Sequence, residues 1–194
     1  MTNISPLNFV HTTGKFGDHD GKQENDLLKV KEVNGLLIFQ IAKYKNSNFD
    51  LSKIKIDGLN LPSSLKSSSN LNTRILWLGP DNWLVFSSIL DLIVKEKKQF
   101  DEVDFAITNI SHSRTIIELE GNLVNEVLKK GCPLDVNTFK EGDCANSVYN
   151  GITITIDYIS NKPNKVRILG LRSFGESLYH SITDACLEFG YKAI

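Results

Sequence analysis

At 194 residues and 41% hydrophobic, the chain carries enough apolar material for one large domain or two small halves sharing a core. Its formal charge of −1 leaves no basic stripe, which excludes the electrostatic footprint of a nucleic-acid binder or a polybasic membrane surface. No apolar run approaches the ~20 residues of a membrane span, and Met1-Thr-Asn-Ile-Ser-Pro6 lacks the basic stretch and apolar block of a secretory signal, so a cytoplasmic location is expected.

Residues 1–25 have little apolar periodicity and hold Gly14, Gly17, Gly21 and the polar cluster Asp18-His-Asp20, which reads as an extended tail. Ser5-Pro-Leu-Asn-Phe-Val10 is its one apolar patch, with docking on a partner, docking on the chain's own core, and disorder all left open. The remainder, 26–194, reads as one domain, divisible into α+β halves at about 26–100 and 101–194. Leu27 to Tyr44 gives two strand-like runs broken at Asn34-Gly35, a hairpin signal because both residues tolerate positive φ. Residues 46–72, rich in Ser and Asn, read as a long loop. Ile75–Leu78 and Trp83–Phe86 flank Gly79-Pro-Asp-Asn82 as a second hairpin, whose two tryptophans fit either core or interface. Ile89 to Phe100 then has the spacing of an amphipathic helix.

Phe105 to Glu120 gives two strands around Ser111-His-Ser-Arg114. Gly121-Asn122 opens a helix with Leu123, Val124, Val127 and Leu128 on its apolar face, and Gly131 stands where a left-handed cap would close it. Gly151 to Ile159 alternates as a half-buried strand and turns through Asn161-Lys-Pro-Asn164 into Val166–Leu171. The last helix starts at Ser173 and Glu176, read as a capping box, and stops at Gly190.

The search for chemistry returns little. Gly14-Lys-Phe-Gly17 and Gly131-Cys-Pro lack the spacing of a phosphate loop or a dinucleotide fingerprint. His11, His19, His112 and His180 lack zinc-site spacing, and Asp18-His-Asp-Gly21 lacks the glutamate of a calcium loop, so no metal is expected. Cys132, Cys144 and Cys186, odd in number and unpaired in spacing, read as buried reduced thiols. Three residues stand out as weak binding candidates. His112, with Ser111, Ser113 and Arg114, fits either an anion-orienting or acid–base role or a strand-bend contact. Arg172 fits either a carboxylate or phosphate clamp at the last helix or an ion pair with Asp135 or Glu176. No catalytic residue is assigned.

Five phrases taken in order carry a resemblance. They are Trp77-Leu-Gly-Pro-Asp-Asn-Trp83, Ile110-Ser-His-Ser-Arg114, Lys130-Gly-Cys-Pro-Leu-Asp135, Phe139-Lys-Glu-Gly-Asp-Cys-Ala145 and Arg172-Ser-Phe-Gly-Glu-Ser-Leu178. Together they resemble the gamma subunit family of bacterial heterotetrameric sarcosine oxidase, roughly from Ile75 to Gly190, with the first seventy residues matching mainly at Ser5-Pro-Leu7. The resemblance implies an α+β fold related to the folate-binding fold of the glycine-cleavage T-protein, with antiparallel sheets covered by helices and ferredoxin-like pieces. It implies an accessory chain without a cofactor of its own. FAD, FMN, NAD and the tetrahydrofolate site would belong to alpha and beta partner chains, and zinc to a delta chain. The complex would demethylate sarcosine to glycine oxidatively, passing the one-carbon unit to tetrahydrofolate and forming peroxide. His112 and Arg114 match a family phrase to which no role is attached. Two other readings stand beside this one: a stand-alone folate-binding or one-carbon-transfer protein, and a scaffold in another amine-oxidising complex. A homo-oligomer of the isolated chain would be compatible with an accessory role, because a bare partner face can pair with itself.

Overall fold

A computed structural model of the chain describes residues 4–194. Residues 1–3 of the expected tail lie outside the described residues. The strands in chain order are β1 (Gly14–Phe16), β2 (Leu28–Glu32), β3 (Leu37–Lys43), β4 (Lys55–Ile56), β5 (Leu59–Asn60), β6 (Ser67–Ser69) and β7 (Thr73–Gly79). They continue as β8 (Asn82–Ser87), β9 (Phe105–Asn109), β10 (Arg114–Glu120), β11 (Cys144–Tyr149), β12 (Ile152–Asn161), β13 (Asn164–Leu171) and β14 (Tyr191–Ala193). The helices are α1 (Leu92–Glu96), α2 (Val124–Lys129) and α3 (Gly175–Leu187). The class is α+β and rich in antiparallel sheet.

The chain divides into two compact units. The first takes residues up to Asn34 and from Ser113 onward, so the expected boundary near residue 100 is corrected: the early strands belong with the late ones. Its seven-stranded sheet has the order β1-β14-β2-β10-β13-β12-β11. Every pairing is antiparallel except β14 with β2. Strand alternation turns Leu28, Val30, Ile117, Leu119, Ile156 and Ile168 to one face, where they form a core with Val127 and Leu128 of α2 and Leu178 and Ile182 of α3. The expected tail is part of this core. Leu7 is fully buried in it, and β1 pairs with β14. A leucine placed on a ready apolar face gains ~2 kcal/mol from burial, which explains why a segment too polar to fold alone is nevertheless held.

The second unit, Gly35–His112, is continuous. Its five-stranded sheet, β6-β7-β8-β3-β9, is antiparallel throughout. Phe39, Ile41, Ile75, Trp83, Val85 and Phe105 pack there against Leu92 of α1 and against Ile54 and Ile56. The β7–β8 hairpin is as expected; Trp83 joins the core, donating from Nε1 to Pro62 O at 3.0 Å, and the half-buried Trp77 packs against it.

Several local expectations are corrected. Asn34-Gly35 is not a hairpin turn, because β2 and β3 lie in different sheets. The stretch 46–72 is not bare loop: Asp57 and Gly58, at φ 50 and 77, close the β4–β5 hairpin and bury Ile54 and Ile56. Helix α1 is shorter than 89–100, since Ser87 Oγ accepts the Ile89 N–H at 3.0 Å and holds a bend ahead of it. Gly131 does not cap α2 with positive φ. A Cβ there would lie 2.7 Å from the Tyr149 ring, so close approach demands the glycine. The capping box is absent as well: Arg172–Phe174 forms a 3-10 turn that runs straight into α3, and no side chain caps the helix. Gly190, at φ 69, does end the segment after α3.

Candidate functional site

The three candidates from sequence fall at one end of β10 and β13. Arg114 opens β10 directly opposite Leu171, the last residue of β13. Its guanidinium is half-buried and makes no hydrogen bond or ion pair among the described residues; burial alone pushes its pKa down. Arg172 follows Leu171. Its backbone N–H donates to Ser113 O at 2.9 Å and its guanidinium donates to Ile4 O. The expected ion pair with Asp135 or Glu176 is therefore replaced by a tie to the amino-terminal segment. His112 is exposed in the turn leading into β10.

The histidine that does hold structure is His11. Residues 7–11 make one tight turn, with the Val10 and His11 N–H groups both donating to Leu7 O at 3.0 and 2.8 Å. That turn aims the His11 ring edge-on at Tyr179, with Nδ1 2.8 Å from Tyr179 Oη and Nε2 3.1 Å from Ile194 O. Burial pushes the Tyr179 hydroxyl up to about 12, so it stays protonated. Ser5 Oγ donates to Glu32 and accepts from the Leu7 N–H at 3.0 Å, completing the clasp. Two buried oxygens, Glu32 Oε1 and Thr115 Oγ1, have no hydrogen-bond partner among the described residues. The signal for His11 was faint in the sequence: a lone histidine after Pro-Leu-Asn-Phe-Val, with no phrase around it.

The other groups with reactive side chains are packed away or open to solvent. The three cysteines are buried free thiols. Burial raises Cys186 to about 12, which leaves it protonated and unreactive. Cys132 Sγ lies 3.3 Å from Ser147 Oγ. Asp18, from the polar cluster near the start, pairs with Lys22 at 2.8 Å. No group of His, Cys, Asp and Glu side chains among the described residues has the arrangement of a metal site. A cavity of about 460 Å³ runs beside α3, lined by His180, Ser181, Thr183, Asp184, Leu187 and Tyr191. His180 and Asp184 are exposed on its wall one helical turn apart. No helix among the described residues is long and apolar enough to cross a membrane.

The face of the seven-stranded sheet away from Leu28 and Val30 is charged. The strand register sets Lys15 of β1, Lys192 of β14, Lys29 of β2, Glu120 of β10 and Lys165 of β13 side by side in one row. Glu120 accepts from Lys29 at 2.8 Å and Lys165 at 2.5 Å, while Lys192 pairs with Glu24 of a 3-10 turn.

With this geometry in place, comparison with known proteins identifies its relatives. The family model described as sarcosine oxidase, gamma subunit family, matches residues 45–188. The sarcosine oxidase subunit gamma of Corynebacterium sp. strain U-96 is 28% identical over 143 residues, covering 68% of this chain and 66% of that protein. The same subunit of strain P-1 is 28% identical over 128 residues, covering 63% and 61%. Each match thus spans somewhat under two thirds of the relative. Among solved structures, a chain of heterotetrameric sarcosine oxidase from Corynebacterium sp. U-96, in complex with pyrrole 2-carboxylate, superposes with a TM-score of 0.79 at 21% identity over 97% of both chains. The glycine cleavage system aminomethyltransferase T from Bartonella henselae superposes with a TM-score of 0.65 at 11% identity, over 88% of this chain and 48% of that one. These two likenesses establish the fold, which the T-protein chain shares.

Proposed function

The chain belongs to the sarcosine oxidase gamma subunit family, and from that premise we propose that it is the accessory, non-catalytic gamma subunit of a heterotetrameric sarcosine oxidase. The observation that carries the reading is the family match over residues 45–188. It is joined by the use to which the chain puts its polar residues: His11, Arg172 and Ser5 tie the amino-terminal segment to the core. In this reading the larger alpha and beta chains bind FAD, FMN, NAD and tetrahydrofolate, and a small delta chain binds zinc. The assembled enzyme demethylates sarcosine to glycine, hands the one-carbon unit to tetrahydrofolate and forms peroxide. The gamma chain contributes surface, and its own electron-transfer or nucleophilic chemistry is nil.

The test is a tagged pull-down from native cells. Larger yellow chains that oxidise sarcosine should come down with the tag, identified by mass and flavin absorbance. Recovery of a solitary colourless chain, or heat of tetrahydrofolate binding by the isolated chain in calorimetry, would overturn the proposal.

A further inference from the structure

The lysine row is the surface feature least explained by folding. Lys15, Lys192 and Lys29 are direct cross-strand neighbours on one face of the sheet. Like charges placed opposite one another destabilise a sheet. A lysine on an outermost strand guards an open edge against strand addition, and that accounts for Lys15 on β1. It does not account for Lys192 or Lys29, because β14 and β2 lie inside the sheet. Nor does composition require the cluster, since the whole chain carries a formal charge of −1.

One carboxylate, Glu24, takes a direct ion pair from Lys192 and feels Lys15 and Lys29 through space. Lys192 hydrogen-bonds Glu24 and, with its charge, holds that carboxyl below the usual range; Lys15 and Lys29 add to the effect through space. Lys29 also shares Glu120 with Lys165. The four lysines of the row therefore meet three carboxylates, Glu24, Glu120 and, at 3.9 Å from Lys165, Glu118, and Lys15 has no direct ion pair among the described residues. Neighbouring strands lie ~4.8 Å apart, so the three lysines span ~10 Å, the reach of a few acidic side chains on an extended segment.

We propose that this row is a docking strip for an acidic segment of a larger subunit, whose carboxylates join Glu24 in neutralising Lys15, Lys192 and Lys29. The inference rests on the subunit reading above. It assigns to the strip the steering and registration of the encounter, the usual contribution of rim charge to an interface.

The experiment compares the wild-type chain with a Lys15→Gln/Lys192→Gln variant, using as probe the larger chains that the wild-type pull-down recovers. Dissociation constants are measured at about 0.05 M and about 0.5 M salt, where the screening length falls several-fold. Wild-type affinity should weaken with salt. The variant should bind about tenfold more weakly at low salt and lose most of the salt dependence, with a melting temperature close to that of the wild type, because it removes both the Lys15–Lys192 repulsion and the exposed Lys192–Glu24 ion pair. A Lys15→Arg/Lys192→Arg variant should restore affinity. Equal affinity and equal salt dependence of the Gln variant and wild type, or failure of the Arg variant to restore binding, would overturn the strip while leaving the subunit reading intact. Recovery of no larger chain by the wild type itself would overturn the subunit reading, and the strip with it.

Discussion

The two units solve the same problem with different wiring. The second closes its sheet from a single stretch, Gly35–His112, in which β6, β7 and β8 follow one another as hairpins and β3 joins β8 to β9. The first draws β1 and β2 from the start of the chain and inserts β14, from the far end, between them. Local turn chemistry can therefore specify the hairpins of the second unit but not the closure of the first, where the decisive contacts join residues more than 150 positions apart, as in Lys15 with Lys192.

The sharpest way to break the contrast is to remove residues 1–16. That deletion strips Leu7 and Phe16 from the first core, together with β1 and the His11 contacts. It should cost at least about 4 kcal/mol, enough to unfold many domains. Amide exchange should accelerate across β2, β10 and β14; unaltered exchange there would return the segment to the status of a tail. Next in size is Phe39→Ala in the second unit, a fully buried ring on β3, expected to cost about 3–5 kcal/mol. Its signature is faster exchange in β3, β7, β8 and β9, with a matching drop in melting temperature. Smallest is His11→Ala, which removes the contacts to Tyr179 and Ile194 and should cost about 1 kcal/mol. Chemical denaturation resolves a change of that size, and a neutral result would reduce the clasp to Leu7 and Ser5 alone.

Much of the second unit was legible because its signals are local. Pro80-Asp81 between two apolar runs gave the β7–β8 hairpin, and Asp57-Gly58 after Ile54-Lys-Ile56 carried the same kind of signal for β4–β5, hidden among the surrounding serines. In the first unit, α3 and the β12–β13 turn were visible for the same reason. What a turn signal does not contain is the sheet its flanking strands will join, so Asn34-Gly35 looked like a hairpin and is instead the crossing from one sheet to another. The candidate residues followed this pattern. His112 drew notice for its polar phrase and is exposed. His11 drew none and is engaged by Tyr179 and Ile194, partners that only the folded chain brings to it.

The discontinuity of the first unit has a consequence for biosynthesis. A ribosome delivers Leu7, Leu28 and Val30 early, yet their core partners Ile117, Val127, Ile156, Ile168 and Ile182 emerge only after the whole of Gly35–His112 has been made. The contiguous unit can mature during that interval, at the pace of elongation, while the apolar side chains ahead of it wait uncovered. For this chain, the vulnerable period is the time between those two stretches leaving the exit tunnel, when a chaperone that shields Leu7 to Val30 would have the most to protect.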